Sequence, residues 1–238
     1  MTGFENIEMI VFDIDGTLAE TDDYFVIKAS VLTRKMLPFV REKSAVKIIR
    51  PIVMTGETLL HSFYRILDLV GLDSVISKIQ SRFSVGKTYK YDSVDNARVT
   101  VERLSRRYKL GIISSGGRKS TDAFLEKFDL KDFFSFIVSA EDCRFIKPHP
   151  MPLLLIAEKA DVPIDHCLMV GDTVFDSLCA KRAGARSVAV KTGFDTALFL
   201  RLHKADLMLD SIGDLPEILL DKSNIEIDNS MDKPKDLV

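Results

Sequence analysis

The sequence has few features of secreted, membrane or nucleic-acid-binding proteins. Its cysteines, Cys143, Cys167 and Cys179, are odd in number and show no CxxC or Cys/His ligand spacing, which indicates reduced thiols in a cytoplasmic protein. No apolar run approaches the roughly 20 residues of a membrane span, and the start MTGFENIEM lacks a basic region before an apolar core, so neither a membrane nor secretion is expected. The net charge of -2, without a Lys/Arg-rich block, gives no reason to expect a nucleic-acid partner.

The remaining composition is that of an ordinary globular protein. The chain has 238 residues, of which 46% are hydrophobic and 29% are charged. At roughly 150 residues per domain, this length predicts one large domain or two unequal ones, with enough chain to bury a sizeable core.

One stretch combines a buried strand with two acidic residues. The apolar run 10–12 fits a strand buried on both faces of a parallel sheet, and it ends in Asp13, Ile14, Asp15 and Gly16. Burying two carboxylates without a cation or donors would be costly, so we expect them at the strand's carboxyl end, in a crevice that could bind a divalent metal. An ordinary Asp-Gly turn after a strand is the alternative at this point.

The second half of the chain alternates helical and strand patterns, which predicts a parallel sheet with helices on both faces. Helices are expected at about Ser93–Tyr108, Ser120–Phe128, Met151–Ala160 and Val174–Ala183; strands are expected at Leu110–Ile113, Phe136–Ser139, Cys167–Val170, Ser187–Val190 and near Leu207–Leu209.

Between the first strand and this alternation, the apolar residues fall at helical spacing instead. In 58–70 they form one stripe that ends at Gly71, which is typical of an amphipathic helix. We therefore predict an α/β core formed by 1–19 and 88–220, with hinges at Ala19–Thr21 and Gly86–Tyr91. An inserted all-helical domain is predicted over 20–87, and a polar, mobile tail is predicted over 221–238.

Three further stretches end a strand or open a helix with groups that suit a phosphate and a metal. Strand 110–113 ends in Ser114, Ser115, Gly116 and Gly117, whose amides and hydroxyls could converge on an anion, although such residues are also common in loops.

A lysine and two more acids complete this set. Lys147 precedes prolines that suit a helix start, and a surface lysine is its ordinary alternative. Asp172 follows a buried strand and Gly171, while Asp176 lies four residues later, where helix capping is an equally good interpretation.

The order and spacing of these residues resemble the four motifs of the haloacid dehalogenase superfamily. The resemblance spans roughly Ile7 to Leu220, and the helical insertion is similar to the cap of the phosphoglycolate phosphatase and β-phosphoglucomutase branch. It implies a Rossmann-like core with an inserted helical cap, and a Mg²⁺-dependent phosphatase that acts on a small-molecule phosphate ester. Dehalogenation is not expected, because dehalogenases of the family do not keep an acid where Asp15 stands.

The resemblance also implies a role for each residue. Asp13 would attack phosphorus and bind Mg²⁺, and Asp15 would act as acid and base while its main-chain carbonyl binds the metal. Asp172 would be a further ligand, with Asp176 acting through a water, and Lys147 would be catalytic and bind phosphate. The other expected phosphate-binding residues are Thr17, Ser114, Ser115, which stands where many relatives carry Asn, and Gly116.

Three alternative functions stay open. The mutase branch carries a His where this chain has Phe25, which favours hydrolysis over a sugar phosphomutase. A pyrophosphatase would differ only in the cap. A catalytically silent phosphate-binding module would be expected to lose an acid or the lysine, and none is lost. The sequence leaves the substrate undetermined, and the chain could be a monomer or a homodimer.

Overall fold

A computed structural model of the chain describes residues 4–20, 92–193, 200 and 205–220. The predicted helical cap, apart from Glu20, lies outside these residues, and so do the hinge at 86–91 and the tail at 221–238. The domain boundaries therefore remain predictions. No helix in the described ranges is both long and apolar enough to cross a membrane.

The core is a six-stranded parallel sheet with the strand order β3-β2-β1-β4-β5-β6. Its strands are β1 (Met9–Phe12), β2 (Lys109–Ile113), β3 (Phe136–Val138), β4 (Cys167–Gly171), β5 (Arg186–Val190) and β6 (Leu207–Leu209). Its helices are α1 (Ala97–Ser105), α2 (Arg118–Lys127), α3 (Met151–Ala160) and α4 (Val174–Ala183), joined by 3₁₀ turns at Lys131–Phe133, Ile164–His166 and Ile212–Asp214. The predicted Rossmann-like α/β core is confirmed.

The central strands are apolar on both faces because each face packs against helices. In β1, Ile10 and Phe12 belong to one hydrophobic cluster, whereas Met9 and Val11 belong to another. The first cluster includes Leu104 of α1 and residues of α2; the second includes residues of α3 and α4. The continuous run of apolar residues is therefore what a strand covered on both sides requires.

The first helix begins later than the sequence predicts. The sequence pattern predicts a start at Ser93, whereas α1 starts at Ala97. Ser93 instead bridges Ala19, and the amide of Val94 donates to the carbonyl of Leu18, so these residues run extended beside the first turn. Tertiary hydrogen bonds have overridden the local helical pattern.

Two segments that are distant in sequence lie side by side in the core. The amide of Glu20 donates to the carbonyl of Asp92 at 2.9 Å. The described residues on either side of 21–91 are thus joined by a backbone hydrogen bond, a few residues beyond the acidic end of β1.

The strand registers bring three strand ends to one level. Phe12 of β1 pairs with Ile112 of β2 on one side and with Val170 of β4 on the other. Because the strands are parallel, the residues that follow them leave the sheet at the same edge. This carboxyl edge holds the acids, hydroxyls and lysine of the four sequence motifs.

Candidate active site

The turn after β1 directs Asp13 and Asp15 out of the sheet. The amide of Asp13 still donates to the carbonyl of Val170, so this residue is held at the strand end. The carbonyl of Ile14 then accepts from the amides of Thr17, Leu18 and Ala19, at 3.2, 2.9 and 2.9 Å. This tight turn passes through Gly16, whose φ of 78° is rarely adopted by other residues.

Lys147 lies at the centre of the acidic groups. Its Nζ is 2.8 Å from Oδ1 of Asp13 and 2.6 Å from Oδ1 of Asp176, and all three side chains are almost completely buried. Burial alone would lower the pKa of Lys147, but the charges and hydrogen bonds of Asp13 and Asp176 outweigh it and raise the pKa. Lys147 therefore stays protonated and positively charged.

At Asp13, burial outweighs the effect of the ion pair on the pKa. Burial raises its pKa to about 7, the nearby charges of Asp176 and Asp15 act in the same direction, and Lys147 lowers it again. The ion pair with Lys147 thus only partly offsets the cost of burying this carboxylate, which is the situation expected where a cation is to be bound.

Asp176 is held by donors on both of its oxygens. It lies in the first turn of α4, where its Oδ2 accepts from the amide and the hydroxyl of Thr173, at 3.0 and 2.6 Å. Its Oδ1 accepts from Lys147. The sequence leaves capping and a functional role as alternatives for Asp176, and the geometry includes both, since the same carboxylate caps the helix and anchors the lysine.

Asp172 is the most deeply buried of the acids. It follows β4, is fully inaccessible to solvent, and its Oδ1 accepts from the hydroxyl of Thr17 at 3.2 Å. A side chain at Gly16 would overlap its carboxylate. Gly16 is thus required twice, for its backbone conformation and for this close approach.

The predicted phosphate loop lies on the other side of β1. Ser114 is buried, its amide donates to the carbonyl of Val138, and its Oγ accepts from the amide of Gly116 at 3.0 Å. Ser114, Ser115 and Lys147 line the same narrow gap, so the residues after β2 lie beside the lysine.

This loop is tied to the segment that precedes Lys147. The amide of Ala140 donates to the carbonyl of Gly116 at 3.1 Å, and Oε1 of Glu141 accepts from the amide of Arg118 at the start of α2. The predicted phosphate loop is therefore hydrogen-bonded to the segment that leads to Lys147. Glu141 was not predicted from the sequence, because its contact joins residues that are 23 positions apart.

The donor set fits a divalent cation. The carboxylate oxygens of Asp13, Asp172 and Asp176 lie within 4.8 Å of one another, and all three residues are buried. Lys147 contributes one positive charge to this cluster of three acids. Hard carboxylate oxygens with an excess of negative charge are what Mg²⁺ binds.

The structure brings Asp13, Lys147, Asp172 and Asp176 together, and it gives Thr17 a contact that the sequence did not predict. Thr17 is expected from the sequence to bind phosphate, yet its hydroxyl donates to Asp172 and its amide donates to Ile14. Thr192 was missed altogether: its hydroxyl donates to the carbonyl of Gly16 at 2.7 Å. The signal available in the sequence was its place just beyond β5, the neighbour of β4 in the sheet.

Comparison with known proteins agrees with this geometry. The model of the haloacid dehalogenase-like hydrolase family matches residues 10–190. The pyrophosphatase PpaX of Bacillus cereus (strain Q1) is 27% identical over 223 residues, which cover 90% of this chain and 97% of that protein.

Solved structures show the same fold. A hydrolase from Pseudomonas syringae aligns with a TM-score of 0.60 and 26% identity, over 89% of this chain and 97% of that one. A predicted phosphoglycolate phosphatase from Haemophilus somnus aligns with a TM-score of 0.61 and 20% identity, over 91% and 99% of the two chains, and supports the fold alone. With a family model that covers the sheet from β1 to β5, the chain belongs to the haloacid dehalogenase-like hydrolases.

Proposed function

We propose that this protein is a Mg²⁺-dependent phosphatase that hydrolyses a small-molecule phosphomonoester through an aspartyl-phosphate intermediate on Asp13. The observation that carries the proposal is the buried cluster of Asp13, Lys147, Asp172 and Asp176 at the carboxyl edge of the sheet. Such a cluster costs stability. Phosphoryl transfer gives it a use, because the negative charge of the transferring group must be neutralised and held in line.

Asp13 is the proposed nucleophile. Its oxygen attacks phosphorus, the bond from phosphorus to the leaving oxygen breaks, and Asp15 gives that oxygen a proton. A water then attacks the phosphorus of the aspartyl-phosphate and Asp15 takes the water's proton. The bond from phosphorus to the Asp13 oxygen breaks, which restores the Asp13 carboxylate and releases inorganic phosphate. Lys147 favours the anionic form of Asp13 that the first step requires, because it opposes the rise in pKa that burial causes.

Lys147 and Ser114 are the proposed phosphate ligands. An ammonium has three donors, and Asp13 and Asp176 take two of those of Lys147, so the third can donate to a phosphoryl oxygen. The amide of Gly116 donates to the Oγ of Ser114 and so orients this side chain. The amide of Ser115 would complete the cradle, whereas the amide of Gly116, predicted from the sequence to bind phosphate, donates to Ser114 instead.

Asp13, the carbonyl of Asp15 and Asp172 are the proposed metal ligands. Asp176 would act through a water, since both of its oxygens already accept hydrogen bonds from Lys147 and Thr173. Bound Mg²⁺ would supply Lewis-acid stabilisation of the charge on the transferring oxygens. Thr17 would hold Asp172 rather than contact phosphate directly.

Pyrophosphate is a second candidate substrate. The likeness to PpaX, a pyrophosphatase, extends over 90% of this chain. The same residues of the core would act in both reactions, so we propose that residues 21–91 determine the choice. We further propose that the protein works in the cytoplasm, as a monomer or homodimer, with no nucleic-acid or membrane partner.

Release of inorganic phosphate from a panel of substrates tests this function. The panel contains phosphoglycolate, several sugar phosphates and pyrophosphate, each with Mg²⁺ and with EDTA. We expect Mg²⁺-dependent release from at least one phosphomonoester; release from pyrophosphate alone would select the second candidate. No release from any of them would contradict both and favour a silent phosphate-binding module.

The nucleophile is tested with Asp13→Asn. We expect a folded protein with at least about 10³-fold lower kcat, since loss of a covalent nucleophile commonly costs this much or more. Asp132→Asn, in the 3₁₀ turn after α2, makes the same chemical change away from the cluster and serves as the control. Near-normal turnover by Asp13→Asn would refute the assignment.

A further inference from the structure

We propose that Thr192 and Gly193, just beyond β5, are positioning residues that hold the Asp172 carboxylate in place and so set the affinity of the metal site. This inference rests on the proposed metal-dependent function, and it deepens that function by adding a wall of the site. Neither residue belongs to the four sequence motifs.

The close approach of Asp172 explains why position 193 is a glycine. A Cβ at this position would overlap the Oδ2, Cγ and Cβ atoms of Asp172. The backbone of Gly193 is not in the left-handed region, unlike those of Gly16 and Gly184. Its own conformation therefore does not require glycine, and the contact with Asp172 does.

The carboxylate of Asp172 is packed against two glycines, which have no side chains. Gly16 approaches its carboxylate from the turn after β1, and Gly193 approaches it from the loop after β5. The hydroxyl of Thr17 fixes the other carboxylate oxygen, Oδ1, at 3.2 Å. Because side chains in close-packed interiors have little room to move, the carboxylate has few other orientations.

Thr192 connects the loop after β5 to the turn after β1. Its hydroxyl donates to the carbonyl of Gly16 at 2.7 Å, across 176 positions of sequence. The loop after β5 is thereby connected to the turn that also carries Asp13, Asp15 and Thr17. Loss of this hydrogen bond would let the turn and the loop separate, and Asp172 would lose its close contacts with Gly16 and Gly193.

The effect should appear in metal binding. Groups that orient metal ligands typically change metal affinity by about 10- to 100-fold when they are removed. In Gly193→Ala, the added methyl displaces the carboxylate of Asp172 from its position beside Asp13. In Thr192→Val, the site keeps its volume but loses the hydrogen bond to Gly16.

The experiment measures the Kd of Mg²⁺ by calorimetry and by the rise in melting temperature with Mg²⁺, in the absence of substrate. We expect a Kd at least about 10-fold higher for Gly193→Ala and several-fold higher for Thr192→Val. Thr192→Ser keeps the hydroxyl and should restore the wild-type value. Gly213→Ala is the matched control, because its Cβ would meet nothing nearer than the Ser211 hydroxyl, at 3.6 Å.

The outcomes separate this inference from the proposed function. Wild-type protein that binds Mg²⁺, together with a Gly193→Ala variant of unchanged Kd, would overturn the role of Gly193. Equal Kd values for Thr192→Val and Thr192→Ser would overturn the role of the hydroxyl. Wild-type protein that neither binds Mg²⁺ nor releases phosphate would instead refute the proposed function. Should Gly193→Ala fail to fold, the comparison of Val with Ser at 192 still decides.

Discussion

The buried cluster at the carboxyl edge of the sheet differs from the ion pairs at the amino edge. At the amino edge, Arg186 lies 3.3 Å from Asp206 with 49% of its side chain exposed, and the ring of His166 lies 2.7 Å from Glu8. At the carboxyl edge, one lysine with 4% of its side chain exposed serves two carboxylates, and Asp172 lies beside them.

This difference separates structural charges from functional ones. Exposed pairs contribute at most about 1 kcal/mol, and they are easily exchanged because water solvates either partner alone. A buried group of three acids and one lysine reduces stability, and a fold has no structural need for it. Features that oppose stability are typical of active sites, so the contrast supports the proposed site at the carboxyl edge.

Removal of the central lysine should have the largest effect. Lys147→Met leaves Asp13 and Asp176 buried without their shared cation, so we expect the free energy of unfolding in EDTA to fall by about 3–5 kcal/mol. Phosphate release should fall at least about 10²-fold, because a donor to the transferring group is lost. Urea denaturation and phosphate release measure the two effects.

A change in stability below about 1 kcal/mol for Lys147→Met would break the comparison between the edges, because exposed pairs contribute no more than that. It would mean that the buried ammonium contributes no more than an exposed one. Lys147→Arg provides a second measurement: it keeps the charge but not the shape, and should recover stability better than activity.

The phosphate loop offers a smaller effect. Ser114→Ala removes one donor from the proposed phosphate cradle and leaves the amide of Gly116 without its acceptor. We expect kcat/KM to fall by about 10²-fold, with a small change in stability. Ser105→Ala, at the end of α1, removes a hydroxyl that donates to a carbonyl of its own helix, and is the control. Equal activity of the two variants would exclude Ser114 from the site.

The sequence predicts most of the core because its signals are local. Buried strands appear as apolar runs, and acids such as Asp13 and Asp172 directly after them are costly to bury without a cation or donors. Because the strands are parallel, their carboxyl ends lie at one edge of the sheet, and this follows from the backbone arrangement alone. This is why β1, β2, β4 and the residues after them could be placed correctly.

What the sequence could not predict depends on contacts between distant segments. Thr17 could equally have faced a phosphate or an acid, and only the packing of β4 against β1 directs its hydroxyl to Asp172. Likewise, Thr192 contacts Gly16 across the sheet. The early start predicted for α1 is wrong for the same reason, since Ser93 bridges Ala19.

The pH dependence of stability sharpens the comparison further. Burial raises the pKa of Asp13 to about 7, above the ordinary value of about 3.9 in the unfolded chain. Between these values the folded state holds a proton that the unfolded state has lost, so the metal-free wild type loses stability as the pH rises through that range.

Asp13→Asn does not titrate, and in EDTA its melting temperature should therefore rise relative to that of the wild type from about pH 5 to about pH 8. A difference that stays constant with pH would show that Asp13 is ionised throughout. Saturating Mg²⁺ should diminish the trend in the wild type, because a bound cation favours the carboxylate.

The smallest effect is expected at the amino edge. Arg186→Met removes the partner of Asp206, yet Asp206 keeps the amide and hydroxyl of Ser187, at 2.8 and 3.0 Å, and stays hydrated. We expect the free energy of unfolding to change by less than about 1 kcal/mol and phosphate release to be unaltered, with even that small change reduced in about 1 M salt. A loss as large as that of Lys147→Met would mean that burial does not distinguish the two edges. Because both substitutions replace one cation by the same thioether, the difference between them measures the combined effect of burial and of the second carboxylate that Lys147 contacts.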